Sequence, residues 1–287
     1  MTVQVFDAAS CSLGEGPLWH PLRQSLFWFD IDHKVMLEKS FGGDRKEYHF
    51  DRTVSAAGLV DDSNLIIASE RDLFVFDLDS GNQRVLCQLE ADNAATRSND
   101  GRADPWGGFW IGTMGYHAEP NAGAIYRYYR GELRQLYGDI TISNSICFSP
   151  DSKTAFFTDS PTKVIRSVRL DAEGWPAGEP ADFIDLSSED LAPDGCVCDA
   201  QGRLWSAQWD ASRVAVYSNR GELVQTHAVP TSQPTCPAFG GPDLSTLFVT
   251  TAGAHLPDNL KGKEPQAGCV FKIEGIGTGQ AEHRVIV

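Results

Sequence analysis

The sequence predicts an all-β fold, a six-bladed β-propeller with four antiparallel strands per blade. Three observations point there. One motif recurs along the chain, its spacing suits a blade, and convincing amphipathic helices of ten or more residues are scarce. In each copy a small or acidic residue precedes Gly or Ser. A short apolar run follows, then a polar turn, and an apolar, aromatic-rich strand closes the unit. The copies are EGPLWHPLRQSLFW (15–28), AGLVDDSNLII (57–67), DGRADPWGGFW (100–110), NSICFSPDSKTAFF (144–157), DGCVCDAQGRLW (194–205) and, most loosely, CPAFGGPDLSTLFV (236–249). The first apolar residues after the turns are Leu26, Leu65, Phe109, Ala155, Leu204 and Leu247. They recur every ~40–50 residues, the period of a four-stranded blade.

The segments between these anchors read as strands. AGAIYRYY (122–129) and SRVAVYS (212–218) alternate as half-buried strands do. LFVFDLDSGNQRVL (73–86) reads as a hairpin across its DSGN turn. LSSEDLAPDG (186–195) reads as a loop. TVQVFDA (2–8) and EHRVIV (282–287) are both strand-like, so the N- and C-terminal strands are expected to close the ring within one blade. With no linker or composition break, residues 1–287 read as a single propeller domain.

Composition narrows the function classes. Hydrophobic residues make up 41% and charged residues 22%, as in a folded globular protein. The net charge of −15 gives no counterion-release gain on nucleic acid and repels anionic lipid. A monomer or weak dimer in the cytoplasm, with no nucleic-acid or membrane partner, is expected. No apolar run approaches the roughly 18 residues of a membrane span, and the N-terminus lacks a signal peptide's basic region. The seven Cys residues include no Cys-x-x-Cys pair. Cys196 and Cys198 would share one strand face and pack as small hydrophobes. The seven Trp residues are expected mainly between blades, with Trp209 a candidate for the channel mouth. His20, His33, His227 and His283 lack metal-ligand spacing, and His255 precedes a candidate rim loop, HLPDNLKGKEP. GIGTGQ near Gly275 opens no helix, and there is no GxSxG elbow.

Aligning the repeats puts oxygen-bearing side chains at one level of the central channel. The residues before the Gly or Ser are Glu15, Ala57, Asp100, Asn144, Asp194 and, in the loose copy, Cys236. Asn99 stands beside Asp100, and either can be the one that points inward. Each alone could be a turn cap. Carboxylates converging in a partly dry channel must either gain protons or hold a cation. An all-oxygen set suits Ca²⁺, Mg²⁺ or Mn²⁺.

EGPLWHP, SNDGRADPWGGFWIGTM, SNSICFSPD and PDGCVCDAQGRLWSAQW resemble, in order, the signature segments of the regucalcin/gluconolactonase family, also called the senescence-marker-protein family. The similarity runs from about Leu13 to Lys272 and takes in AFGGPDLSTLF and QAGCVFK. The resemblance implies a six-bladed propeller that hydrolyses sugar lactones with one divalent ion, whether calcium, zinc, magnesium, manganese or iron. It implies Glu15, Asn144 and Asp194 as metal ligands, Asp194 also as catalytic acid/base, and Arg97 and Asn99 as substrate contacts. A further substrate contact of the family, an acid, falls near His117 here, and Glu119 two residues on could replace it or simply be solvent-exposed. Asp100 matches a position that supports the site without touching the metal.

The residues suit that chemistry on their own terms. Opening a cyclic ester needs a stabilised carbonyl oxygen and an activated water, which a bound cation and a nearby carboxylate supply. Arg97 offers a planar fork to sugar oxygens. Two other readings compete: a metal-dependent hydrolase of another ester class, such as an organophosphate or another lactone, and a calcium-binding or regulatory propeller without turnover.

Overall fold

The structure, a computed structural model, describes residues 2–254, 256–260 and 262–287. His255 lies outside the described residues. Among them, 24 strands form six antiparallel four-stranded sheets. Five sheets are continuous stretches of chain, 14–49, 54–88, 96–140, 143–185 and 192–228, here blades 1 to 5. Blade 6 combines the strands from 234–274 with Gln4–Asp7, which pairs Val270–Glu274. The N-terminal strand thus fills the outer edge of the last blade and leaves no open seam there. No helix is long and apolar enough to cross a membrane; the only described helices are two 3₁₀ turns, Ser160–Thr162 and Ser187–Glu189.

Burial follows the position of a strand in its blade. The first strands of blades 1, 2, 4, 5 and 6 have almost every residue buried, as Ser143–Phe148 does throughout. They also touch their counterparts in neighbouring blades, which identifies them as the inner wall. The outermost strands Lys46–His49 and Leu223–Ala228 are largely exposed. Between adjacent blades lies one apolar core each, six in all among the described residues. Trp19 and Trp28 of blade 1 meet Phe248 of blade 6, and Trp110 of blade 3 meets Phe148 of blade 4. Trp205 packs edge-on against Phe239 between blades 5 and 6. The Trp residues expected between blades are there in these four cases; Trp106, Trp175 and Trp209 are half-buried.

The expected hairpin in 73–86 appears as Asp72–Asp77 paired with Gln83–Gln88. Two expectations need correction. The 186–195 stretch is not all loop, because the inner strand of blade 5 begins at Ala192. The last six residues do not join Gln4–Asp7 in the closing blade. They belong to a tail that crosses the ring at the end where the inner strands finish. Gln280 Nε2 donates to the Phe148 and Cys198 carbonyls of blades 4 and 5 at 3.2 and 3.1 Å. Arg102 Nη1 meets Glu282 at 2.7 Å, and the Val285 and Ile286 N–H groups reach Leu59 in blade 2 and Gly107 in blade 3. The apolar residues that made EHRVIV look like a strand are used to plug rather than to pair: Val285 is buried in the core between blades 2 and 3.

The seven Cys residues are free thiols, six of them buried. Cys196 and Cys198 sit in the blade 4–5 core, as expected of small hydrophobes.

Candidate active site

A β-bulge interrupts every inner strand near its start, with register shifts at Glu15/Leu18, Val54/Ala56, Ser98/Gly101, Asn144/Cys147, Pro193/Cys196 and Pro234/Pro237. A bulge re-aims side chains, and here six of them lie around one axis. Glu15, Asn144 and Asp194 stand at or within these shifts. All three are buried and line a single cavity of about 870 Å³ at that end of the ring. Arg97, Asn99 and His117 line it too.

Local backbone chemistry holds each group. Gly16, after Glu15, has φ +54°, and a Cβ there would lie 2.3 Å from the Ser55 carbonyl oxygen. Glycine lets blades 1 and 2 close up at this point. Its N–H donates to Glu15 Oε2 at 2.9 Å. Blade 4 meets blade 5 through Ser145, whose Oγ donates to the Asp194 carbonyl at 2.6 Å.

A chain of hydrogen bonds runs across the cavity floor. Arg97 Nη1 donates to Asn99 Oδ1 at 2.8 Å and to the Ser98 carbonyl at 2.9 Å. Asn99 Nδ2 donates to the Ser143 carbonyl at 2.9 Å and to Asn144 Oδ1 at 3.2 Å. Asn144 Nδ2 donates to Ser160 Oγ at 2.9 Å, and Ser160 Oγ to the Pro193 carbonyl at 2.7 Å. With its nitrogen committed to Ser160, Asn144 offers its oxygen to the cavity.

Asn99 and Asp100 part company here. Asn99 lines the cavity, whereas Asp100 does not. Asp100 Oδ2 accepts the Ile146 N–H at 2.7 Å and so ties blade 3 to blade 4. The aligned Ala57 and Cys236 do not line the cavity either; the polar residue that blade 2 contributes is Thr53. Glu119 is exposed and outside the lining, its Oε2 taken by the His117 N–H at 3.1 Å.

The carboxylates are costly as they stand. Burial pushes Glu15 up to about 8, with Asp100 adding repulsion. Asp194 is held well above the usual carboxylate range by burial, then by Glu15 and Asp100. Burial also lifts Asp100 to about 6 and lowers the Arg97 guanidinium. Among the described residues, no side-chain cation forms an ion pair with Glu15 or Asp194. Nor do the described residues hold a cluster of three or more His, Cys, Asp or Glu side chains arranged for a metal. The donor set is two carboxylates and one amide oxygen. Two buried carboxyl groups without a cationic partner, beside a fixed amide oxygen, fit a hard divalent cation, whose charge would keep them ionised.

The upper wall is more apolar. Trp209, Tyr116, Leu13, Ile31 and Met114 contribute to it. Trp209 therefore stands at the mouth, as its place after the Asp194 repeat suggested. Tyr116 and Lys34 carried no signal in the sequence. Tyr116 follows the third repeat's second strand, and its hydroxyl is anchored by Glu70 Oε2 at 2.7 Å, a partner in blade 2.

Comparison with known proteins covers most of the chain. The sequence profile of the SMP-30/gluconolactonase/LRE-like region matches residues 13–253. An L-arabinolactonase of Azospirillum brasilense is 34% identical, over 95% of this chain and 92% of that one. A 6-deoxy-6-sulfogluconolactonase of Pseudomonas putida is 31% identical, over 94% of each. The crystal structure of a calcium-binding protein, regucalcin, from Agrobacterium tumefaciens superposes with a TM-score of 0.97. It is 38% identical, over 100% of this chain and 98% of that one.

Proposed function

The chain belongs to the SMP-30/gluconolactonase/LRE-like family, and from that premise we propose that it hydrolyses a sugar lactone to the aldonic acid with the help of one divalent cation. The observation that carries this reading is the pair of buried carboxylates, Glu15 and Asp194, lining one cavity with Asn144. Relatives named as lactonases support the substrate class.

Glu15, Asn144 and Asp194 would hold the cation. When bound, it would polarise the lactone carbonyl and acidify a water. Asp194, deprotonated under that positive charge, would take a proton from the attacking water. As the ring C–O bond breaks, it would return that proton to the leaving alkoxide. Arg97 would bind ring or hydroxyl oxygens through its fork, held in place by Asn99 and the Ser98 carbonyl. Asn99 would orient Arg97 and Asn144 together, and His117 would meet the substrate at the rim. Asp100 would act as a brace between blades.

Proton release from D-glucono- and L-arabino-lactone is the test. Activity should vanish after thorough chelation and return with added Ca²⁺, Zn²⁺, Mg²⁺, Mn²⁺ or Fe²⁺. Asp194→Asn should keep the circular dichroism spectrum and lose about 10²–10⁴-fold in turnover. Wild-type turnover in that variant would refute the role. A second reading, cation binding without turnover, draws on the calcium-binding regucalcin of Agrobacterium tumefaciens; lactone hydrolysis that depends on added metal would exclude it.

A further inference from the structure

We infer that the preferred lactone carries a second acidic group remote from its ring carbonyl, and that Lys34 selects it at the cavity mouth. This rests on the lactonase reading for the ring chemistry and on a separate observation for the acid. In four blades the turn between the second and third strands ends at an equivalent residue: Lys34, Arg71, Lys163 and Ser212. In each, its carbonyl accepts an N–H from just beyond the outer strand, from Phe50, Leu89, Leu186 and Val229 respectively, at 2.8–3.0 Å. Lys34, Lys163 and Ser212 have left-handed backbones, with φ +58°, +60° and +55°. The shared bonds fix where each side chain departs.

Three of these four residues are cations, but they are not partnered alike. Arg71 pairs with Asp51 at 3.2 Å, and Lys163 pairs with Asp190. Among the described residues, Lys34 has no hydrogen bond or ion pair through its ammonium. The acids nearby bond to other groups, and Glu70 meets the Lys34 charge only through space. Asp32, in the same turn, accepts the Ser12 hydroxyl, and Glu70 accepts the Tyr116 hydroxyl and the Thr53 N–H. Lys34 is half-buried and lines the cavity, as Lys163 does from the opposite blade and Arg97 does deeper in.

The difference in partnering turns this into a preference. The described lining holds Lys34, Arg97 and Lys163 against Glu15, Asp32 and Asp194. With the floor groups Glu15, Asp194 and Arg97 set aside and Lys163 paired to Asp190, Lys34 and Asp32 are the charged lining residues that remain. Lys34 is then the lining lysine without an ion-pair partner among the described residues, in a chain of net charge −15. An ammonium so placed rewards an anionic ligand whose charge ends beside it. A carboxylate, sulfonate or phosphate would each serve, since a lysine ammonium is a point charge without shape preference.

Binding and turnover test it together. Dissociation constants of D-glucarate, 6-phospho-D-gluconate and D-gluconate are measured by calorimetry on the full chain. Release of protons from the 1,4-lactones of glucaric and gluconic acid is followed in parallel. The wild type should bind the two diacids about tenfold or more tighter than gluconate. Lys34→Met should bring that ratio close to one, and Lys34→Arg should keep it, with folding checked by thermal melts. Whichever diacid binds tighter identifies the acid as carboxylate or phosphate. Equal affinities in the wild type, or a ratio unmoved by Lys34→Met, would overturn the inference. If the ratio behaves as expected and neither lactone is opened, the acidic subsite stands and the lactonase reading falls.

Discussion

Glu15 shows what it costs to bury a carboxyl group in the ring. An unfolded chain ionises it near 4.5, while burial in the ring holds its proton up to about 8. Between those values the unfolded state has released a proton that the folded state keeps, so folding stability falls as pH rises through this window. Asp194 and Asp100 are raised as well and act in the same direction. Metal-free protein is therefore expected to lose stability, and so to melt at progressively lower temperature, from pH 5 to pH 8. Glu15→Gln should flatten that slope and weaken divalent-ion affinity at least tenfold. Melting curves of chelated protein and an ion titration measure both. Glu15, Asn144 and Asp194 were legible because the repeat set them in one register. Which of Asn99 and Asp100 faces the cavity was not, since the bulge between Ser98 and Gly101 shifts the register by a residue. Of the two readings of Glu119, substitute contact or solvent-exposed side chain, the structure has the second: it is exposed, outside the cavity lining, and its oxygen turns back to the His117 N–H.

At the level of elements, strands and turns followed from alternation and turn chemistry, whereas the tail did not. EHRVIV has the composition of a strand, but its partners are Leu59, Gly107 and Arg102, remote residues that no local pattern reveals. Its Glu282 neutralises an arginine from the inner strand Thr96–Ala103, and both side chains are largely buried, at 9% and 13% exposure. Removing one partner of such a pair leaves an uncompensated charge. Glu282→Ala should thus cost about 3–5 kcal/mol, read by denaturant unfolding. The Arg102→Met/Glu282→Leu double variant should recover most of the loss, because an apolar pair needs no counter-charge. Failure of the double variant to recover would mean that the pair positions the tail beyond its charge balance.

For the molecule as a whole, the count of six blades was readable from the period of the repeat. The arrangement of their cores follows from it, since each sheet buries its two faces against two neighbours. No blade has a complete core of its own, so the ring should unfold in one transition, with tryptophan fluorescence and circular dichroism coinciding. Separate midpoints would contradict that. Deleting residues 1–8 should lower the melting temperature and produce oligomers visible by size-exclusion chromatography, because Val270–Glu274 would then become a bare sheet edge. What the period cannot encode is which end closes the ring, because any cut in a circle of similar units leaves the same pattern.

The pairing of Gln4–Asp7 with Val270–Glu274 also has a consequence in time. Gln4–Asp7 is made well before Val270–Glu274 and must wait for it. At roughly 5–20 residues per second, a nascent chain spends on the order of tens of seconds with that seam unsealed. Until Val270–Glu274 has been made, Gln4–Asp7 has no strand to pair with, and the nascent chain carries unpaired strand edges that are open to aggregation.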